Sequence, residues 1–249
     1  MFSKDVTVDK ILRGKISIIQ LKKGFRYGFE AVFLASFVNG YLKKFKKKTI
    51  SLADVGSGVG TISLIIAYHN NKINITAIEN NDKYLQIANE NIVINNFKKK
   101  INVIHGDIFN IDNHLINRFD IVVTNPPFYD RKQKKSENEL DNYAKRIINY
   151  ESWIENSLKL LKDKGIIFLI IPTGLLEKSL KILSKKTGSF KIFPIWPNQK
   201  KSSKRLILLA KKGGASPTEL MSGMRLLNNR GKITKKARTY SDNGIFNFL

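Results

Sequence analysis

The sequence predicts an α/β fold: a doubly wound sheet of seven strands, mostly parallel, whose last strand is antiparallel. Three observations predict it. Short apolar runs rich in Ile, Val and Leu alternate with stretches of helical period along most of the chain. A glycine-rich turn, Asp54-Val55-Gly56-Ser57-Gly58-Val59-Gly60, joins an early buried strand to a helix. The last two apolar runs have no helix between them, so they fold back on each other as a hairpin.

The elements follow in order. Val6-Thr7-Val8 and Ile16-Ser17-Ile18-Ile19 alternate around Gly14 and predict a short hairpin. An apolar helix over 31–41 comes next, then a lysine-rich run, 43–48, and a buried strand over 49–55. A helix over 61–69 follows the glycine turn. The second strand, 74–78, ends at Glu79, and a helix over 82–95 carries Leu85, Ala88, Ile92 and Val93 on one face. The third strand, 101–104, ends in His105-Gly106-Asp107, and the fourth, 119–124, ends at Asn125-Pro126-Pro127-Phe128. The segment 129–142 is charged and aperiodic and reads as a mobile loop. A helix over roughly 143–162 is stopped by Gly165, and strand five runs over 166–171. A helix near 174–186, strand six (190–195) and strand seven (206–209) complete the sheet. The division is an N-terminal hairpin and edge segment, 1–30, a core domain, 31–212, and a polar tail, 213–249, with a hairpin signal at Asn229-Arg230-Gly231.

Composition bounds the chemistry. The chain has 249 residues, no cysteine and only three isolated histidines, which leaves no thiol chemistry and no metal-ligand spacing. No apolar run has membrane-spanning length and no signal peptide is evident, so the expectation is a soluble, cytoplasmic, metal-free protein, a monomer. The net charge is +24, which favours a polyanionic partner. Because 35 of the 44 basic residues are lysine and Asn and Ile are also abundant, part of that charge reads as compositional bias and solvated surface.

The motif with the most chemistry is Asn125-Pro126-Pro127-Phe128. The prolines end a strand and stiffen the turn after it. The Asn125 side-chain carbonyl and the Pro126 main-chain carbonyl are two acceptors, and Phe128 is an aromatic plate beside them. Two acceptors and a plate suit a planar ring bearing an amino group; the same four residues also serve as a plain strand stop with a core Phe. Gly56, Gly58 and Gly60 permit a tight turn and close approach of a ligand. Glu79, at the end of the next strand, can take ribose hydroxyls or simply charge a helix N-terminus. Asp107 can meet an adenine amino group or cap a turn.

Together, Asp54-x-Gly56-x-Gly58-x-Gly60, Glu79, Asp107 and Asn125-Pro-Pro-Phe128 resemble the S-adenosylmethionine-dependent methyltransferases of amino and amide nitrogens. Within these, the segment Lys23-Gly24-Phe25-Arg26-x-x-x-Glu30, the helix with Trp153 and the tail Gly231-Lys232-Ile233-Thr234 resemble the bacterial tRNA1(Val) adenine-37 N6-methyltransferase family. That family more often has Asp at position 30 and Tyr at position 128. The resemblance implies a Rossmann-like methyltransferase sheet and S-adenosylmethionine as cofactor, with tRNA as partner. It implies that Gly56, Gly58 and Gly60 wrap the methionine part, that Glu79 binds the ribose and Asp107 the adenine, and that Asp54 and Ser57 also belong to the cofactor site. Arg26 then anchors the cofactor carboxylate, orients its loop, or is a surface residue. Catalysis falls to Asn125, Pro126, Pro127 and Phe128, which grip and stack an extruded adenine, with no general base required.

Topology sorts the charge. Lys22, Lys23, Arg131, Lys132, Lys134, Lys135, Lys200, Lys201, Lys204 and Arg205 flank segments at the cofactor edge and form the expected RNA-binding set. The runs 43–48, 98–100 and 185–186 precede strands and belong to the opposite edge. Other readings remain: protein glutamine N5-methylation on the same Asn-Pro-Pro turn, methylation of an rRNA or DNA adenine, and a non-catalytic RNA-binding domain that keeps the fold. A nicotinamide oxidoreductase accounts for the glycines but not for Asn-Pro-Pro-Phe.

Overall fold

The computed structural model describes residues 5–24, 26–45, 49–127 and 150–247. The chain opens with an antiparallel hairpin, β1 (Val6–Ile11) and β2 (Ile16–Leu21). Then come α1 (Phe29–Leu42), β3 (Ile50–Val55), α2 (Thr61–His69), β4 (Ile73–Glu79), α3 (Asp82–Ile94) and β5 (Ile101–His105). The second half supplies β6 (Phe119–Thr124), α4 (Tyr150–Lys159), β7 (Leu161–Pro172), α5 (Leu176–Leu183), β8 (Thr187–Trp196) and β9 (Arg205–Lys212). The tail adds two short strands, β10 (Glu219–Leu220) and β11 (Met224–Arg225), and a helix, α6 (Lys235–Asn243).

The core sheet has the order β8-β9-β7-β6-β3-β4-β5, with β9 antiparallel to both neighbours and the others parallel. This is the expected sheet. The tail extends it, because β10 and β11 both pair in parallel with the outer side of β8. An open edge strand leaves a row of unpaired main-chain groups, and here the tail covers that row.

The strands are buried on both sides, which is why they read as continuous apolar runs. Leu52, Ile121, Val123, Phe168, Phe193 and Ile207 face α1, α2 and α3. Ala53, Val55, Val122, Ile167, Leu169 and Leu208 face α4 and α5. Helix α1 is buried continuously from Ala31 to Gly40. It lies on the sheet beside α2, and the tail closes over it. Phe37 meets Phe168, Phe193 and Phe246 with ring centroids 6.2, 5.4 and 5.8 Å apart.

Three expectations change. The helix near 150 stops at Lys159 rather than at Gly165, and β7 begins at Leu161. Gly165 lies inside β7, where a Cβ would come within 2.8 Å of the Lys162 carbonyl and 3.2 Å of the Asp120 carbonyl. That glycine permits close strand packing and is no helix stop. The buried face of α3 is Tyr84, Ile87, Ala88, Asn91 and Ile92, whereas Val93 is 46% exposed. The polar side chain of Asn91 sits in that face because the hairpin needs it. The expected loop 129–142 and the start of the following helix lie outside the described residues.

Candidate active site

Four parallel strands end side by side on one edge. The register pairs Thr124 with Val55, Val55 with Ile78, and Glu79 with His105. Asn125, the glycine turn, Glu79 and the His105–Asp107 segment therefore follow one another along the edge. With about 4.8 Å between strands, the row spans about 14 Å.

The glycine turn is shaped by positive φ at Gly56 (+70°) and Gly58 (+55°) and by Gly60 at the start of α2. Beneath Gly56 lies the Trp153 ring, so close that a Cβ would meet its Cζ2 and Cη2 at 3.0 Å. Above Gly58 there is open space. The turn's main-chain donors are already engaged. Gly56 and Ser57 donate to the Ile78 carbonyl at 2.9 and 3.1 Å, Gly60 to the Ser57 carbonyl at 2.9 Å, and Gly58 to Glu79 Oε2 at 2.8 Å. A phosphate cradle presents free N–H groups, and this turn presents few. Its buried polar side chains are less satisfied: Ser57 Oγ, Thr61 Oγ1 and Asp54 Oδ1 have no hydrogen-bond partner among the described residues.

Glu79 and Asp54 are buried. Glu79 accepts from the main-chain N–H of Gly58, Asn80 and Asn81. Burial pushes its pKa up, opposed by those three bonds. A carboxylate offers about four acceptor positions, so one remains for a hydroxyl. Asp54 is fully buried, and burial pushes its pKa up to about 7 against the hydrogen bonds that Ser63 donates from N and Oγ. Asp107 is exposed, and its Oδ1 caps a turn by accepting from Phe109 N at 2.9 Å.

Asn125 is half-buried, and its side-chain amide makes no hydrogen bond among the described residues. The strand end below it is pinned. Trp153 Nε1 donates to Thr124 Oγ1 at 3.0 Å, and Thr124 Oγ1 donates to the Val55 carbonyl at 2.9 Å. Pro126 is buried and Pro127 half-buried; Phe128 lies outside the described residues. His105 lies two strands beyond Gly56, so it faces the Glu79 side and not Asn125. Among the described residues no three His, Asp or Glu side chains are grouped to hold a metal ion.

Arg26 is occupied by the hairpin. Its guanidinium donates to Asp9 Oδ2 at 2.7 Å, Thr7 Oγ1 at 2.9 Å and the Leu21 carbonyl at 3.0 Å. Lys22, Lys23, Lys200, Lys201 and Lys204 are exposed. Arg205 is paired with Glu30 of α1 at 3.2 Å. Arg131, Lys132, Lys134 and Lys135 lie outside the described residues.

Comparison with known proteins fits this geometry. The family model described as "Methyltransferase small domain" matches residues 38–193. The chain belongs to that family. Among relatives, the tRNA1(Val) (adenine(37)-N6)-methyltransferase of Flavobacteriaceae bacterium strain 3519-10 is 26% identical over 158 residues, which are 64% of this chain and 64% of that protein. The protein of the same name from Haemophilus influenzae strain PittGG is 30% identical over 143 residues, 56% of this chain and 59% of its own length. The matches thus span just under two thirds of these relatives. Among solved structures, a predicted O-methyltransferase from Agrobacterium tumefaciens superposes with a TM-score of 0.70 at 19% identity, covering 88% of this chain and 98% of its own. M. jannaschii TYW2, crystallised with AdoMet, superposes at 0.58 with 15% identity, covering 83% and 85%. These likenesses concern the fold.

Two site residues were missed in the sequence reading. Trp153 was noted only as part of a resemblance, yet it supports both Gly56 and the end of β6. Asn91 gave no signal beyond a polar residue at a helical core position, where it accepts from Ile19 N and donates to the Ile19 and Val59 carbonyls.

Proposed function

We propose that this protein is an S-adenosylmethionine-dependent methyltransferase that methylates N6 of an adenine in RNA, namely adenine 37 in the anticodon loop of a tRNA. The observation that carries the reading is the position of the Asn125 amide, which bonds to none of the described residues, one strand from the glycine turn and beside the Pro126 carbonyl. The names of the relatives supply the tRNA and the nucleotide. The net charge of +24 supports a polyanionic substrate.

The residues of the edge fit the cofactor. It carries no phosphate, and the glycine turn spends its N–H groups internally. It carries a diol, and Glu79 keeps an acceptor position free. Asp107 stands one strand further, on the adenine side, and the orphaned Ser57 and Thr61 hydroxyls border the turn. When bound, S-adenosylmethionine supplies a methyl carbon on a sulfonium leaving group. The protein's part is alignment. Asn125 Oδ1 and the Pro126 carbonyl accept the two N6–H bonds, which turns the nitrogen lone pair out of the ring plane and toward the cofactor side. Phe128 stacks the base. Solvent takes the proton that N6 releases, since no imidazole adjoins Asn125.

Transfer of labelled methyl groups from S-adenosylmethionine to total tRNA, total rRNA and release factors, with digestion to the modified residue, tests the proposal. The expected product is N6-methyladenine at position 37 of one tRNA. Asn125→Ala should lower kcat about a hundredfold, the scale of a misplaced reactant, while cofactor affinity by calorimetry stays near wild type. Label confined to release-factor glutamine, or full activity of Asn125→Ala, overturns it.

A further inference from the structure

The tail builds a cleft that the sequence reading did not anticipate. Strand β8 runs parallel to β7 and β6, so it ends on the same edge as Asn125. The register aligns Thr124 with Leu169, Leu208 and Ile192, so Trp196 stands three residues further out than Asn125. It lies three strand spacings to one side, about 14 Å, on a wall about 10 Å high. The tail continues off this wall. Leu226 N donates to the Trp196 carbonyl at 2.8 Å, Leu227 N to the Pro197 carbonyl at 2.9 Å, and Thr234 N returns to the Leu226 carbonyl at 2.8 Å.

Between the tail and the end of β8 is a cleft of about 440 Å³, lined by Trp196, Asn198, Gln199, Arg225, Thr234 and Lys236 among others. That volume suits a small ligand of nucleotide size. The Trp196 ring presses on Gly223, where a Cβ would overlap it, and the indole N–H has no hydrogen-bond partner among the described residues. Arg225 is exposed and its guanidinium has no acidic partner among the described residues. Among the described residues Lys236 Nζ donates to the Gly223 carbonyl, at 3.5 Å, and lies 6.0 Å from the Tyr240 ring. No acidic side chain is among the lining residues. An indole, two uncompensated cations and two amides recognise a π-face, a phosphate and base-edge groups, respectively.

We propose that the cleft at Trp196 is a second subsite for the RNA substrate, where a nucleotide a few positions from the target stacks on Trp196 and its phosphate is held by Arg225 and Lys236. The inference rests on the RNA reading of the active site. It accounts for a tail that is basic and yet ordered along the catalytic edge. It also adds to the RNA-binding set residues that sequence topology left in a polar tail.

The test uses the full chain and a single-stranded oligoribonucleotide with the anticodon-loop sequence. Tryptophan fluorescence should be quenched on titration, and the Trp196→Phe variant should lose that part of the signal, leaving Trp153. The double variant Arg225→Gln/Lys236→Gln, changed only at exposed side chains, should bind the oligonucleotide about tenfold more weakly, with a log–log salt slope smaller by about one to two. In turnover, the same variant should raise KM for tRNA about tenfold with a smaller change in kcat. Equal affinity and equal salt slope in the double variant, or quenching that survives unchanged in Trp196→Phe, overturns the subsite. If tRNA is methylated while those overturning results are found, the active-site reading stands and the subsite falls. If RNA quenches Trp196 but no RNA is methylated, the subsite stands and the substrate assignment falls.

Discussion

Asp54 and Trp153 show what single residues do at this edge. Asp54 Oδ1 has no hydrogen-bond partner among the described residues, and burial raises the pKa of Asp54 from 3.8 to about 7. A carboxyl whose pKa is higher folded than unfolded favours the folded state when protonated. Its contribution is therefore complete below pH 3.8 and is lost as the pH rises through about 7. Glu79 is shifted in the same direction. The melting temperature of the wild type should carry a downward component between those pH values, and Asp54→Asn should flatten it without abolishing the part due to Glu79. A melting series across that range checks the sign. Trp153→Phe removes both the bond to Thr124 and Cζ2 and Cη2, the ring atoms that lie under Gly56. We expect a loss of about 2–3 kcal/mol in stability and a several-fold lower turnover, read by denaturant titration and by methyl-transfer rate.

At the scale of elements, the hairpin β1–β2 and helix α3 are held together by two asparagines. Asn91 exchanges bonds with Ile19 and ties the Val59 carbonyl of the glycine turn to the same helix; Asn95 exchanges bonds with Ser17. The pairs run in opposite senses along the two elements, so β2 points its end, with Lys22 and Lys23, toward the strand-end edge. Asn91→Ala would leave three main-chain groups without that partner in the interior. The expected cost is about 2–4 kcal/mol, with weaker cofactor binding because the glycine turn loses its support. Urea unfolding and calorimetry measure the two effects. A loss of stability with unchanged cofactor affinity would limit Asn91 to holding the hairpin.

At the scale of the whole molecule, the tail returns to the first helix. Phe246 is 1% exposed, stacks on Tyr240 with centroids 3.9 Å apart, and packs against Phe33, Phe37 and Phe193. Asn39 donates to the Gly244 carbonyl, and Phe246 N donates to the Ser36 carbonyl. Residues more than 200 positions apart thus close one core. Phe246→Ala should cost about 3–5 kcal/mol and lower the melting temperature. The tail is then both a wall beside the strand-end edge and a cover for α1, which couples the Trp196 cleft to the stability of the first helix.

The strands and the order of the first helices were legible because burial on both faces writes apolar runs, and glycine and proline punctuate them. The antiparallel last strand was legible from a missing helix. The row Asn125, Gly56, Glu79 and Asp107 was legible because each residue stands within two positions of the end of its strand, and parallel strands share one end. The end of α4 was misread because Gly165 looks the same in sequence whether it stops a helix or lets a strand approach Asp120. Asn91, Phe246 and the Trp196 cleft were not legible at all. Their meaning lies in contacts between segments far apart in the chain, and local pattern carries periodicity and turn chemistry but not the partner that a distant segment brings.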